Sequence, residues 1–171
     1  MAAWPEVLSA LQHAHAAAGS PAPRLETLDA ATAGEIEAVA AQIIPSTDGP
    51  GAREAGVIYF IDRALSTFAA DDRETYRTGM DELQQKRREL FPHSTTIASL
   101  AAEQQMALIR TIEASSFFGL LRTHTVLGFL GNPSYGGNRG KSGWKQIGFE
   151  GLMAYQAPFG YYDAQVDEEK Q

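Results

Sequence analysis

Apolar residues recur at every third or fourth position along most of this chain, and that spacing is typical of amphipathic α-helices. The clearest repeat begins at Ala52, where six apolar residues fall on one face of a helix. Because such a face must be buried against other elements, we predict that it belongs to the core. Its members are Val57, Phe60, Ile61, Ala64, Leu65 and Phe68.

Two helices are predicted before this one. The first spans residues 4–18, and a linker rich in glycine and proline follows at residues 19–23. The second begins at Asp29 or at Thr32, which opens a capping-box pattern. It ends at Pro45, because proline lacks the amide hydrogen that a helix interior needs.

Three more helices are predicted after it. One begins near Asp71 and closes at Pro92, the next begins at Ser99, and the last spans residues 117–130 and ends at Gly131. The first two present an apolar stripe to the core. The residues of these stripes are Tyr76, Met80, Leu83, Leu90, Leu100, Met106, Ile109 and Ile112.

The fold class that follows is all-α. We predict one domain over residues 1–171, a bundle of about six helices with a long ordered loop near its C-terminal end, because each apolar stripe must pack on another helix. Within it, residues 1–27 form the N-terminal helix and linker, residues 28–151 the main body, and residues 152–171 an extended tail.

Glycine dominates the segment at residues 131–151. Six glycines lie between Gly131 and Gly148, so the backbone can adopt positive φ angles, and we predict no helix there. Large apolar side chains in the same segment favour an ordered loop. These anchors are Tyr135, Trp144, Ile147 and Phe149.

Composition narrows the function classes. The chain has no cysteine, which excludes disulfides, thiolate-held iron–sulfur clusters and a thiol nucleophile. Its formal net charge of −7 and its scattered basic residues disfavour nucleic acid as a partner. No apolar run approaches the ~20 residues of a transmembrane helix, and no export signal is visible, since the paired arginines, Arg87 and Arg88, lie in mid-chain. We therefore expect a cytoplasmic location for the sequence as it stands.

The motifs that carry chemistry are weak. Residues 135–142 resemble a phosphate-binding loop, but Tyr135 stands in place of its first glycine and the segment follows a helix instead of a strand. Ser134 and Ser142 lack the context of a nucleophile elbow. We therefore predict no catalytic and no cofactor-binding residue.

Histidines and carboxylates give no metal site. The four histidines show no ligand spacing, although His124 precedes the glycine-rich segment and could hydrogen-bond its backbone. The histidines are His13, His15, His93 and His124. Carboxylates on the patterned helices lie mostly away from the apolar stripes, and we predict that they face solvent. They are Glu35, Glu37, Asp62, Asp81, Glu82, Glu103 and Glu113.

Two stretches of the chain resemble a known family. Residues 43–62 read Ile-Ile-Pro-Ser-Thr-Asp-Gly-Pro-Gly-Ala-Arg-Glu-Ala-Gly-Val-Ile-Tyr-Phe-Ile-Asp. The second stretch combines Arg122-Thr-His-Thr, Phe129, Asn132-Pro-Ser-Tyr-Gly-Gly-Asn138, Gly143-Trp144 and Ile147-Gly-Phe149. Together they resemble the gluconate 2-dehydrogenase subunit 3 family, the small subunits of bacterial FAD-dependent sugar dehydrogenases. The resemblance covers residues from about Leu28 to Gly151.

The resemblance implies a helical, non-catalytic subunit that binds, stabilises and assists the folding of a larger dehydrogenase of the glucose–methanol–choline type. The partner subunit would hold FAD, with an iron–sulfur cluster as a further option, and an electron-transfer protein is a further possible partner of the complex. Small subunits of this family often carry a twin-arginine signal, and a periplasmic or membrane-associated complex is therefore the alternative location. Glu150 stands where relatives often have proline.

The candidate site residues lie in or beside the glycine-rich loop. Partner contact and anchoring of the loop on its own helices both remain open for them. They are His124, Tyr135, Asn138, Arg139, Trp144 and Phe149. Two other hypotheses remain. One is a small enzyme that uses His124 and a carboxylate beneath the loop, and the other is an independent helical scaffold or regulatory protein without a dehydrogenase partner.

Overall fold

Six α-helices make up the domain in a computed structural model, which describes residues 24–150. They are α1 (Ala30–Ile43), α2 (Val57–Ser66), α3 (Arg73–Leu90), α4 (Ala102–Arg110), α5 (Ser116–Leu130) and α6 (Ser142–Gln146). Single 3₁₀ turns lie at Ala70–Asp72, Pro133–Tyr135 and Arg139–Lys141. No strand occurs within residues 24–150, and the predicted all-α class is confirmed. The helix predicted at residues 4–18, its linker and the tail at residues 152–171 lie outside the described residues.

Helix α2 is the centre of the bundle. Eight of its ten residues are buried, and it packs against both α1 and α5. The run Val57-Ile-Tyr-Phe-Ile61 explains this position, because a helix that is apolar on several faces must be surrounded by other helices. Phe68 was predicted to extend the buried face but is 69% exposed. The chain leaves helical geometry at Thr67, so the helical spacing no longer fixes the direction of Phe68.

Asp29 is the N-cap of α1. Its carboxylate accepts a hydrogen bond from the backbone N–H of Thr32 over 2.8 Å. The capping box predicted from Thr32 is absent here, because the Thr32 hydroxyl donates to Asp29 instead. Glu35 accepts the backbone N–H of Ile97 over 2.7 Å and so ties α1 to the segment before α4.

Other helix starts and stripe positions also differ from the predictions. Helix α2 begins at Val57, after a series of turns from Ala52, and α4 begins three residues after Ser99. Leu90 and Met106, predicted to face the core, are exposed. At the end of α3 the inward position is taken by the buried Arg87, whose guanidinium bonds the backbone carbonyl of Ser94 where the chain turns back.

Asp62 corrects the prediction that the helix carboxylates face solvent. Its side chain is 2% exposed and accepts three backbone N–H groups, from Glu26, Thr27 and Leu28, over 2.6, 2.9 and 2.7 Å. A buried carboxylate is tolerated when hydrogen bonds replace its lost hydration. Asp62 therefore fixes the segment that leads into α1 onto the central helix.

Within residues 24–150, none of the helices is both long enough and apolar enough to span a membrane.

Candidate functional site

The segment after α5 folds back over the ends of α2 and α5 and contains more helix than the sequence indicated. Its prediction as a segment without helix was wrong, because Ser142–Gln146 form the short helix α6. Gly140 and Lys141 adopt positive φ angles of 61° and 57°, and these two residues reverse the chain immediately before α6. Packing of α6 against α5 offsets the poor helix propensity of its glycine.

Asn138 holds this segment together. Its side chain is fully buried, donates through Nδ2 to the carbonyl of Gly131 over 2.8 Å, and accepts the N–H of Gly143 at Oδ1 over 2.9 Å. Its φ of 47° is a left-handed conformation, which asparagine tolerates better than most residues. The next residue, Arg139, donates its backbone N–H to the carbonyl of Ala55 over 3.0 Å. Asn138 is therefore an internal anchor of the loop.

Two glycines let the loop backbone lie directly on the backbone of α5. A Cβ atom at Gly137 would overlap the carbonyl oxygen of Gly128, and one at Gly143 would overlap the carbonyl oxygen of Phe129. A side chain at either place would push the loop off the helix. The glycines at these two positions are required by close packing, whereas the sequence indicated only conformational freedom.

Trp144 fastens α6 to the end of α5. Its indole N–H donates to the carbonyl of Leu130 over 2.6 Å, and so satisfies one of the carbonyls that a helix end leaves unpaired. The Phe149 ring meets the Trp144 ring edge-on, with centroids 5.0 Å apart, and the Lys141 ammonium lies 5.6 Å from the Trp144 ring centroid. Trp144 itself is partly buried, whereas Phe149 is exposed.

Tyr135 and Arg139 lie on the outer side of the loop. Both are exposed, and the Arg139 guanidinium lies 4.4 Å from the ring centroid of Tyr59 on α2. Beneath them Arg63 is only 8% exposed, and its guanidinium reaches the carbonyl of Ser134 over 3.4 Å. No carboxylate within residues 24–150 lies within ion-pair distance of Arg63. The loop therefore covers a buried positive charge.

His124 bonds another helix instead of the loop backbone, which the sequence had offered as one option. It is buried between helices, where its Nδ1 lies 3.0 Å from the hydroxyl of Tyr76 and its ring stacks on the Tyr76 ring. Burial lowers the pKa of His124, against a smaller opposing effect of the Asp72 carboxylate. Burial likewise raises the pKa of Tyr76, and Asp72 adds to that shift. The neutral forms of both side chains are therefore favoured in the folded protein.

The His124 pKa makes a prediction for stability against pH. In the unfolded chain this histidine takes up a proton as the pH falls through about 6.5, but the folded protein resists that protonation. The unfolded state then binds more protons, so the free energy of unfolding decreases on acidification, by at most about 1.4 kcal/mol per pH unit. Urea unfolding at several pH values between about 7.5 and about 5 would measure the slope.

The control for this prediction is the exposed His93. His124→Gln should flatten the pH dependence in that range, while His93→Gln should leave it as in the wild-type chain. Equal slopes for all three proteins would show that His124 does not set the acid sensitivity.

The remaining geometry offers few groups for catalysis. Within residues 24–150, no group of three side chains that could hold a metal ion comes together. A shallow cleft of about 250 Å³ lies between α1 and α3 and is lined mainly by apolar groups, including Leu28, Ile36 and Met80. The polar partner of His124 is the phenol of Tyr76, not the carboxylate that the enzyme hypothesis required.

Three residues of this region were missed at the level of sequence: Tyr59, Arg63 and Asp62. They lie on α2 at positions outside its main apolar face. The five consecutive apolar residues from Val57 were the available signal, because a helix surrounded on all sides also buries the polar residues that it carries.

A comparison with known protein families finds a match over most of the chain. A family model described as "Gluconate 2-dehydrogenase subunit 3" matches residues 30–151, more than two thirds of the chain. The match begins at the first residue of α1 and ends just beyond Phe149, so it includes both the bundle and the loop. No curated protein and no solved structure matches the chain.

Proposed function

This chain belongs to the gluconate 2-dehydrogenase subunit 3 family, and from that premise we propose that it is a non-catalytic small subunit of a dehydrogenase complex. In this proposal it binds, stabilises and assists the folding of a larger, FAD-dependent subunit that oxidises a sugar or glycoside. The partner supplies the flavin and carries out the oxidation. The observation that carries the proposal is the family match across the whole bundle and its loop.

The geometry of the loop supports a binding role. Asn138 and Trp144 are used internally, because their polar groups bond the loop and the end of α5. Tyr135, Arg139 and Phe149 instead point outward from a backbone that these bonds hold in place. Exposed aromatic and arginine side chains on a rigid support are the residue types that contribute most to protein interfaces. Arg139 lies over the Tyr59 ring and Phe149 against the Trp144 ring, so these two side chains lose less conformational entropy on binding.

Co-purification tests the proposal. We expect the tagged chain, expressed together with its neighbouring genes, to elute in one size-exclusion peak with a larger flavoprotein and its yellow chromophore. Sugar-dependent reduction of an artificial electron acceptor should appear in the complex. The flavoprotein expressed without this chain should aggregate or unfold at lower temperature, because a bound partner stabilises the folded state by mass action.

The controls separate the alternatives. The chain purified alone should be colourless and should not oxidise the sugar; turnover by the lone chain would favour the small-enzyme reading. Separate elution of a stable chain and a stable flavoprotein would contradict the proposal and favour an independent helical module.

A further inference from the structure

The negative charges of this acidic chain are unevenly distributed. The whole chain has a formal net charge of −7, yet no aspartate or glutamate occurs between Glu113 and Glu150. That interval contains four lysine and arginine residues: Arg122, Arg139, Lys141 and Lys145. It also contains α5, the loop and α6. This interval therefore carries a net positive charge, and the remainder of the chain carries the acidic excess.

An exposed apolar surface lies in the same region. On α5, Leu127 is 47% exposed, and Leu130 follows it one turn later on the same side of the helix. The bond from Trp144 to the Leu130 carbonyl places α6 at the C-terminal end of α5, and Phe149 packs on Trp144. We call this surface the α5–α6 face. Its exposed apolar members are Val126, Leu127, Ile147 and Phe149.

Three cations lie on or next to the two helices of this face. Lys141 lies over the Trp144 ring, Lys145 follows Trp144 in α6, and Arg122 lies one turn before Val126 on α5. Within residues 24–150, none of these three cations forms an ion pair with a carboxylate. An apolar centre with a charged rim is the usual composition of a protein–protein interface.

We propose that the α5–α6 face is the surface that docks onto the larger subunit, and that the partner presents an apolar patch rimmed by carboxylates. This inference rests on the proposed function. Charge complementarity selects this partner, since opposite charges at the rim guide association and exclude wrong partners. A second copy of this chain fits poorly, because a two-fold contact through the same face would bring like charges together. Nucleic acid would engage the cations but leave the apolar centre without a matching surface.

Removal of one apolar side chain tests the centre of the face. Leu127→Ser should raise the dissociation constant for the flavoprotein that co-purifies with the chain by about three- to tenfold, because binding would bury the half of the leucine side chain that is exposed. Leu90→Ser is the matched control, since Leu90 ends α3 with a nearly equal exposure of 49%. It should leave binding within about twofold of the wild type.

Charge reversal tests the rim. The double variant Arg122→Glu with Lys145→Glu should slow association by about tenfold or more and should weaken its dependence on salt between about 0.05 and 0.5 M. Lys86→Glu with Arg88→Glu is the control, because it makes the same change in net charge on α3. Surface plasmon resonance on full-length chains measures the association rate and its salt dependence for both double variants.

The outcomes separate this inference from the proposed function. If the wild-type chain forms no complex, the proposed function fails. If the complex forms but both α5–α6 variants bind as their controls do, the docking surface lies elsewhere and this inference is wrong. It is also wrong if Leu127→Ser lowers the urea midpoint of the lone chain far more than Leu90→Ser does, since the chain's own residues then cover the face, or if Leu127→Ser dissociates a homodimer.

Discussion

Replacement of Gly143 by alanine is expected to lower the free energy of unfolding by about 2–4 kcal/mol, because the new methyl group would overlap the backbone of α5. The overlapping atom is the carbonyl oxygen of Phe129, and a helix backbone cannot move aside as a flexible side chain can. Relief requires α6 to separate from α5. That movement would stretch the bonds from Asn138 to Gly143 and from Trp144 to Leu130, so the whole loop should loosen.

Gly119→Ala is the control for this prediction. Gly119 also lies in a helix, and nothing within 4 Å would meet its added methyl group. The two substitutions share the gain in helix propensity, and Gly119→Ala should stabilise the protein by about 0.5–1 kcal/mol. Urea unfolding of both variants measures the difference between them. If Gly143→Ala were as stable as Gly119→Ala, Gly143 would not lie directly against the backbone of α5.

Asp62→Ala is expected to destabilise the protein by about 3 kcal/mol or more, since it removes the shared acceptor of three backbone N–H groups. Water can solvate these donors only if the segment at residues 26–28 lifts off α2. The same variant leaves a cavity where the carboxylate was buried. Hydrogen exchange should therefore accelerate at these three amides, and the urea midpoint should fall.

The control is an aspartate without such partners. Asp48 is exposed in the turn after α1, and Asp48→Ala should change the free energy of unfolding by no more than about 0.5 kcal/mol. If Asp62→Ala were similarly mild and the amides at 26–28 stayed protected, Asp62 would not hold this segment.

Both predictions concern places where a segment outside the main helices is fixed to the bundle. The Gly143 variant has a further use, because a loosened loop should also disturb the α5–α6 face. It should therefore weaken binding to the flavoprotein, whereas Asp62→Ala acts on the segment before α1. A comparison of the two variants would separate loss of the docking surface from a general loss of stability.

The helices were predictable because their signals are local. The apolar spacing from Val57 to Leu65, the N-cap at Asp29 and the glycine at Gly131 act over a few residues, and the structure follows them. Some predictions failed because a helix ended earlier or began later than the apolar spacing indicated. Phe68 is such a case, since it continues the spacing of α2 beyond the last helical residue.

The loop was predictable in part. Its glycines and aromatics identified residues 131–149 as an unusual segment, and Asn138 and Trp144 were among the residues selected. Their roles could not be read from the sequence, because each depends on a carbonyl seven or fourteen residues away in the chain. The helix α6 could not be predicted either, because it too depends on a distant part of the chain. A short segment with two positive φ angles at its start becomes helical only against α5.

The sequence by itself determined the fold class, most helix positions and the lack of acidic residues between Glu113 and Glu150, since these depend on residue type and spacing alone. The tertiary structure decided which polar residues are buried. Aspartate and histidine are residue types that usually lie at the surface. Asp62 is buried because it accepts the backbone amides at 26–28, and His124 is buried because it pairs with Tyr76. The physical reason is that hydrophobic periodicity is a property of one helix, whereas the satisfaction of a buried polar group requires atoms from another.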